Sequence, residues 1–133
     1  MEVVDYSYQL RAMVVDDDSV GRHLLFRLLK QHSIQVIEAC QYEIAIRGFI
    51  TLNPGLIFLD QHLKGLNGLE IAYFIRRLTG GAYAKIYLHT TVNQQDLVDD
   101  PNFQYINGYI KKGDIDKLHA VIRAYLNTST PAV

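Results

Sequence analysis

The amino-acid sequence predicts an α/β domain built on a parallel sheet. Two observations carry that expectation. Five short apolar runs alternate with helical patterns, and one of them, Leu56-Ile57-Phe58-Leu59, is continuously apolar, as expected of a strand covered on both faces. The length of 133 residues suits one domain with little left for a second.

Taken in order, Ala12-Met13-Val14-Val15 is a β-type run that stops at Asp16-Asp17-Asp18. Val20, Leu24, Leu25, Leu28 and Leu29 then recur as one helix face. Gln35 to Ala39 reads as the second strand. Ile44, Ala45 and Phe49 fit a short second helix ended by Asn53-Pro54-Gly55. The third strand, Leu56 to Leu59, stops at Asp60. The third helix, Leu69 to Leu78, carries Ile71, Ala72, Phe74, Ile75 and Leu78 and ends at Thr79-Gly80-Gly81. Ile86 to Thr90 is the fourth strand and Tyr109-Ile110-Lys111 the fifth. Asp114 is placed to cap a last helix bearing Ile115, Leu118, Val121, Ile122, Tyr125 and Leu126. The polar stretch Val92 to Asn107 accommodates a short helix around Gln94 to Val98. A longer one would hold Pro101 in its interior, at a cost of roughly 3 kcal/mol. Residues 1–9 read as an N-terminal extension, 10–127 as the domain and 128–133 as a tail.

Composition excludes several classes. Lys and Arg number 13 against 14 Asp and Glu, a net charge of −1, so no basic face suits direct binding of nucleic acid. The lone Cys40 cannot form an internal disulfide, which favours a reducing cytoplasm, and it reads as a small, partly buried filler. No apolar run approaches the ~18 residues of a membrane span. The acidic N-terminus lacks the basic flank of a signal peptide.

In open parallel sheets, ligands bind beyond the carboxyl ends of the strands. Asp16, Asp17 and Asp18 follow the first strand, Asp60 the third, Thr90 and Thr91 close the fourth, and Lys111 and Lys112 the fifth. Converging carboxylates repel, and a hard divalent ion such as Mg²⁺, with its preference for oxygen ligands, relieves them. A carboxylate beside such an ion can attack phosphorus. Transfer of a phosphoryl group then needs positioning and charge neutralisation, which a lysine and a threonine hydroxyl supply. Taken one at a time these residues are ordinary: a solvated turn, a helix cap, a strand terminus, a surface charge. Their order along the chain is what distinguishes them.

That order resembles the receiver domain of two-component response regulators over Leu10 to about Leu126. The matching signatures are Met13-Val14-Val15-Asp16-Asp17-Asp18, Ile57-Phe58-Leu59-Asp60, the Gly68-Leu69 of Asn67-Gly68-Leu69-Glu70, Leu88-His89-Thr90 and Gly108-Tyr109-Ile110-Lys111-Lys112. The resemblance implies a flavodoxin-like (βα)5 three-layer sandwich of strand order 2-1-3-4-5. It implies phosphorylation at Asp60, and Mg²⁺ held by Asp16, Asp17, Asp60 and the backbone carbonyl of His62. It also implies Thr90 as the switch hydroxyl, Lys112 as the phosphate-binding lysine and Tyr109 as the switch aromatic. The partners implied are a sensor histidine kinase or histidine phosphotransfer protein and a downstream target, with dimerisation open. The activity is that of a phosphoacceptor switch with autodephosphorylation and not of a turnover enzyme.

The sequence departs from the family at three places. Lys64 stands where a proline is usual, Gly113 replaces the proline after Lys112, and Tyr105-Ile106-Asn107 lacks a Gly-Ala pair. Strand alternation allows only one of Lys111 and Lys112 to point inward, and the motif favours Lys112. Two other functions compete. One is an interaction module of the same fold that is rarely or never phosphorylated. The other, resting on Asp16-x-Asp18-x-Val20, is a phosphatase of haloacid-dehalogenase type, whose late acidic pair would have to be Asp114 and Asp116. His62 and His89 lack the spacing of a transition-metal site, and His89 reads as a packed polar residue facing away from Thr90.

Overall fold

A computed structural model describes residues 10–129. The N-terminal extension and the last four residues lie outside the described part. Five strands form one parallel sheet: β1 (Arg11–Val15), β2 (Gln35–Ala39), β3 (Leu56–Leu59), β4 (Lys85–Thr90) and β5 (Gly108–Lys111), in the order β2-β1-β3-β4-β5. Helices α2 (Tyr42–Leu52) and α3 (Gly68–Arg77) pack on one face, α1 (Ser19–Lys30) and α4 (Ile115–Ser129) on the other. The last helix therefore runs through Thr128 and Ser129, beyond the domain boundary read at residue 127.

The pleat divides the core into two layers. Met13, Val15, Ile57, Leu59, Ile86 and Leu88 point towards α2 and α3, while Ala12, Val14, Leu56, Phe58 and Ile110 point towards α1 and α4. The register aligns Val15 with Leu59 and Leu59 with Leu88, so β1 and β3 end level with one another and β4 runs two residues further. The residues that follow them are held at one rim.

Local chemistry fixes where the helices begin. Asp18 caps α1, its Oδ1 accepting from the Val20 N–H at 3.1 Å. Asn67 and Glu70 form a reciprocal capping box at the start of α3. Asn53, in the left-handed conformation at φ 49°, ends α2.

Three sequence expectations change. Val20 and Leu24 are exposed, and the buried face of α1 is Leu25, Leu28 and Leu29. The apolar period included one helical row too many, because a twelve-residue helix beside a five-stranded sheet covers only a narrow stripe. Cys40 is exposed in the turn after β2, so it fills no core space. The (βα)5 expectation is corrected at its fourth unit. Among the described residues there are four α-helices, and β4 and β5 are joined by two 3₁₀ turns, Gln94–Asp96 and Pro101–Tyr105. Asp100 caps the second turn, with Pro101 in its first positions. A proline there needs no amide donor, and it prevents the two short turns from fusing into one α-helix.

Arg76 holds this irregular connection in place. Its guanidinium donates to the carbonyls of Tyr105 (2.9 Å), Gly81 (2.8 Å) and Ala84 (2.6 Å) and to Asn107 Oδ1 (2.9 Å), and Asn107 Oδ1 also accepts from the Ile86 N–H at 2.7 Å. One side chain of α3 thereby satisfies carbonyls from both connections that flank β4. Replacing Arg76 with Ala strands these acceptors and is expected to cost about 2–4 kcal/mol in urea unfolding, with Arg76→Lys intermediate because an ammonium cannot span all of them.

Candidate functional site

The site is built by strand alternation. Val14 and Phe58 face α1 and α4, so Asp16 and Asp60, two residues on, emerge on that same side at the sheet rim. Ile110 shares that face, and Lys112 follows it by two. Lys112 Nζ lies 2.9 Å from Asp16 Oδ2 and 3.1 Å from Asp60 Oδ2. Lys111, one residue earlier, turns outward and donates to Asn93 Oδ1 at 2.6 Å. Of the two lysines, Lys112 is the one in the site.

Asp16 is buried at 1% exposure and Asp60 at 5%, whereas Asp17 is exposed. One carboxylate oxygen from each of the three lies within 4.8 Å of the others. Asp16 Oδ1 accepts from the Asp18 N–H at 2.9 Å, and Asp60 Oδ1 accepts from the His62 N–H at 3.4 Å. Asp16 Oδ2 is buried and has no hydrogen bond, only the ion-pair contact with Lys112. Burial raises the Asp16 pKa above its ordinary value, and the Asp60 charge adds to this against the opposing pull of Lys112 and the Asp18 amide. Burial works against the charge on Lys112 too, yet its contacts with Asp16 and Asp60 leave its pKa raised. Three clustered carboxylates, two of them buried, are a donor set that fits a small hard cation such as Mg²⁺.

His62 and Asp17 line the same open cavity of about 470 Å³, together with Gln61, Lys64 and Asn67. Thr90 and Tyr109 occupy the other face of the sheet rim. Thr90 is fully buried, and its Oγ1 accepts from the Val92 N–H at 3.2 Å. Tyr109 is buried, with its pKa raised by that burial, and its hydroxyl donates to the Val92 carbonyl at 2.5 Å. The structure thus brings Asp16, Asp17, Asp60 and Lys112 into one cluster and links Thr90 to Tyr109 through the Val92 backbone.

Two contributors, Gln61 and Val92, were not singled out from sequence. Gln61 Oε1 accepts from the Leu69 N–H at 3.0 Å, which ties the loop after Asp60 to the start of α3. A Cβ on Gly68 would meet the Asp60 carbonyl oxygen, so only glycine lets α3 start this close to the acceptor strand. Gly68 had a signal in the Asn67-Gly68 signature, whereas Gln61 and Val92 had none. The Asp16/Asp18 pair does not form a phosphatase-type dyad. Asp18 is spent on the α1 cap, and Asp114 Oδ1 accepts from the Lys117 N–H at 3.1 Å at the start of α4.

An α/β domain of this strand order, with an acidic cluster and a lysine at the C-terminal rim, defines a phosphoacceptor-type switch domain. Residues 12–123 match the response regulator receiver domain family, and the chain belongs to that family. It is 37% identical over 65 residues to an uncharacterised response regulatory protein of Yersinia pestis, covering 47% of this chain and 27% of that protein. It is 35% identical over 71 residues to the sensory transduction protein LytT of Bacillus subtilis, covering 52% of this chain and 30% of LytT. The match thus spans less than a third of these relatives. The structure is similar to that of the response regulator TrrA of Thermotoga maritima in complex with Mg²⁺–BeF, with TM-score 0.77 and 29% identity over 87% of this chain and 98% of that one. It is also similar to TrrA in complex with the histidine kinase ThkA, with TM-score 0.76 and 29% identity over 89% and 99% of the two chains. The fold and the flavodoxin-like strand order agree with the sequence reading.

His89 belongs to the same neighbourhood. The register Leu59–Leu88, continued by one residue, sets it beside Asp60, and it is 4% exposed. Burial lowers its pKa from 6.5 to about 4, the Lys112 charge acting in the same direction and Asp60 in the opposite one. The unfolded chain therefore binds a proton that the folded chain refuses between these values, so stability rises with pH across this window. The term is fully present above pH 6.5 and lost as pH falls towards 4. In urea unfolding across that range, His89→Val is expected to flatten the acid limb by about 2–3 kcal/mol. An unchanged slope would show that the imidazole is not held neutral.

Proposed function

We propose that Asp60 is the phosphoryl acceptor of this receiver and that a histidine-containing donor, a sensor kinase or a phosphotransfer protein, supplies the group. The observation that carries the proposal is Lys112 Nζ lodged between Asp16 and Asp60 at 2.9 and 3.1 Å, beside a third carboxylate. An Asp60 oxygen attacks phosphorus, the phosphorus–nitrogen bond of the phosphohistidine breaks, and the imidazole leaves carrying a proton. Asp16, Asp17, Asp60 and the His62 carbonyl would hold Mg²⁺, which when bound neutralises charge on the transferring oxygens. Lys112 keeps contact with the acceptor side and supplies a point charge to one phosphoryl oxygen. The TrrA complexes with Mg²⁺–BeF and with a kinase support the same reading by similarity.

Thr90 and Tyr109 form the switch. In the present state Thr90 Oγ1 holds the Val92 N–H and Tyr109 holds the Val92 carbonyl, so both ends of one peptide segment are pinned. When the Thr90 hydroxyl turns to a phosphoryl oxygen on Asp60, the Val92 N–H loses its acceptor. The Gln94–Asp96 turn and Tyr109 are then free to rearrange, and a downstream protein reads the altered face. No described helix is long and apolar enough to cross a membrane, and the reading places this signalling in the cytoplasm.

Incubation with Mg²⁺ and a small acyl phosphate, followed by intact mass, is expected to show one added phosphoryl group that Asp60→Asn abolishes. No uptake by the wild-type chain would instead favour a receiver-fold interaction module. His62 lines the cavity beside the acceptor and donates its N–H to Asp60, so its side chain controls water access to the acyl phosphate. His62→Ala is expected to change the rate of autodephosphorylation severalfold without preventing phosphorylation, as read from loss of the phosphorylated mass over time. Equal decay rates would refute this role.

A further inference from the structure

Gly21 lies in the first turn of α1, and after proline glycine is the poorest helix former. Its φ is not positive, so the backbone there is open to any residue. What sets the position apart is its surroundings. A Cβ at Gly21 would stand 3.0 Å from Asp16 Oδ2, 3.5 Å from Asp18 Oδ2 and 3.7 Å from Lys112 Nζ, all charged atoms of the rim. Gly48, inside α2, differs: a Cβ there would meet the apolar side chains of Ile37 and Met13.

The 3.0 Å approach is tighter than ordinary packing, and neither side of it gives without breaking a contact. Asp16 is held at every polar atom. Its N–H donates to the Ala39 carbonyl at 3.0 Å, and its carbonyl accepts from Arg22 Nη1 at 2.8 Å. Its Oδ1 accepts from the Asp18 N–H at 2.9 Å, and its Oδ2 pairs with Lys112 Nζ at 2.9 Å. The helix is fixed as firmly. Arg22, the next residue, holds the Asp16 carbonyl and also pairs with Glu38 of β2 at 3.3 Å, while Leu25, Leu28 and Leu29 are buried in the core. A backbone brought this close to a charged site needs a residue without a side chain.

We propose that Gly21 is a positioning residue of the acidic cluster: its missing side chain lets Asp16 keep its carboxylate where, with Asp17 and Asp60, it can bind Mg²⁺. The role presupposes that the cluster is the metal site beside the acceptor, as proposed above. A Cβ would push Oδ2 aside by a few tenths of an ångström, and Oδ1 would follow because a carboxylate turns as a unit. Mg²⁺ requires near-octahedral oxygens at about 2.1 Å and tolerates little such displacement, whereas the looser shell of Ca²⁺ tolerates more. An added methyl group therefore penalises binding of the small ion while it favours the helix itself.

Titration of the isotope-labelled 133-residue chain with Mg²⁺, and separately with Ca²⁺, followed through the amide shifts of rim residues, tests the proposal with no phosphodonor present. Gly21→Ala is expected to raise the half-saturating Mg²⁺ concentration about tenfold and that of Ca²⁺ by less. Val20→Ala, one residue earlier and 76% exposed, is expected to change neither. A cooperative thermal transition in EDTA checks that each variant is folded. Equal Mg²⁺ affinity in wild type and Gly21→Ala overturns the role of Gly21 and leaves the metal site standing. So does an equal loss for both ions, which marks general damage to the rim, or an equal loss in Val20→Ala. A wild-type chain with no saturable Mg²⁺ response overturns the metal site and the role of Gly21 with it.

Discussion

The structure is organised around a repulsion. Two of the three clustered carboxylates, Asp16 and Asp60, sit almost out of water at the end of a sheet whose interior is mostly apolar. Nothing in the fold of β1 or β3 requires acids there. The cluster persists in the protein because Lys112 reaches in from the end of β5 and touches both buried members. The compensation is incomplete, since Asp16 Oδ2 keeps no hydrogen bond and its pKa stays raised. Removing one partner of such a group leaves an uncompensated buried charge, which costs far more than the pair itself contributes. The strand order follows from the same constraint. Only when β1 and β3 are neighbours, with β5 two strands beyond, do the end residues of three distant segments arrive within ion-pair distance.

Much of this was legible in the sequence because it depends on period and position. A strand buried on both faces must read as Leu-Ile-Phe-Leu, and an acid directly after it has nowhere to go but the rim. Alternation allowed only one of Lys111 and Lys112 to point inward and the family motif favoured Lys112; the structure sends Lys111 to Asn93. Pro101 foretold the missing fourth helix. What sequence could not show was long-range and specific to single atoms. No periodicity announces that Arg76 will gather acceptors from both connections flanking β4, or that the peptide of Val92 will be held by Thr90 on one side and Tyr109 on the other. Val20, Leu24 and Cys40 misled for the opposite reason. Apolar character is a necessary sign of burial and an insufficient one, because most folded surfaces are themselves largely apolar.

The connection between β4 and β5 shows how a family architecture bends without breaking. Two 3₁₀ turns offer poorer internal hydrogen bonding than an α-helix, so fewer of their carbonyls are satisfied locally. Arg76 supplies part of the deficit from a neighbouring helix, and Asn107 adds a side-chain acceptor to the Ile86 amide. Stability in this region therefore rests on a few polar contacts anchored to α3 more than on continuous helical pairing. A segment held in this way opens more cheaply than a buried helix does. It is also the segment that begins at Val92, directly beside the two residues proposed to switch.

That coincidence bears on how a change of one group at Asp60 can move a surface. A rigid core transmits strain but does not amplify it; amplification needs an element with two arrangements of similar free energy. In the proposed switch the Val92 peptide has such a choice. Its N–H depends on a threonine oxygen that moves away if the Thr90 O–H turns to donate to a phosphoryl oxygen, and its carbonyl accepts from the Tyr109 hydroxyl. Losing the first contact weakens the positioning of the second, because both act on the same short stretch of backbone. The acidic cluster and the pinned peptide lie on opposite faces of the sheet rim, joined by β4, which ends at Thr90. In the proposed switch the loss comes from movement: a turn of the buried Thr90 side chain that lets its O–H donate to a phosphoryl oxygen on Asp60 carries Oγ1 away from the Val92 N–H.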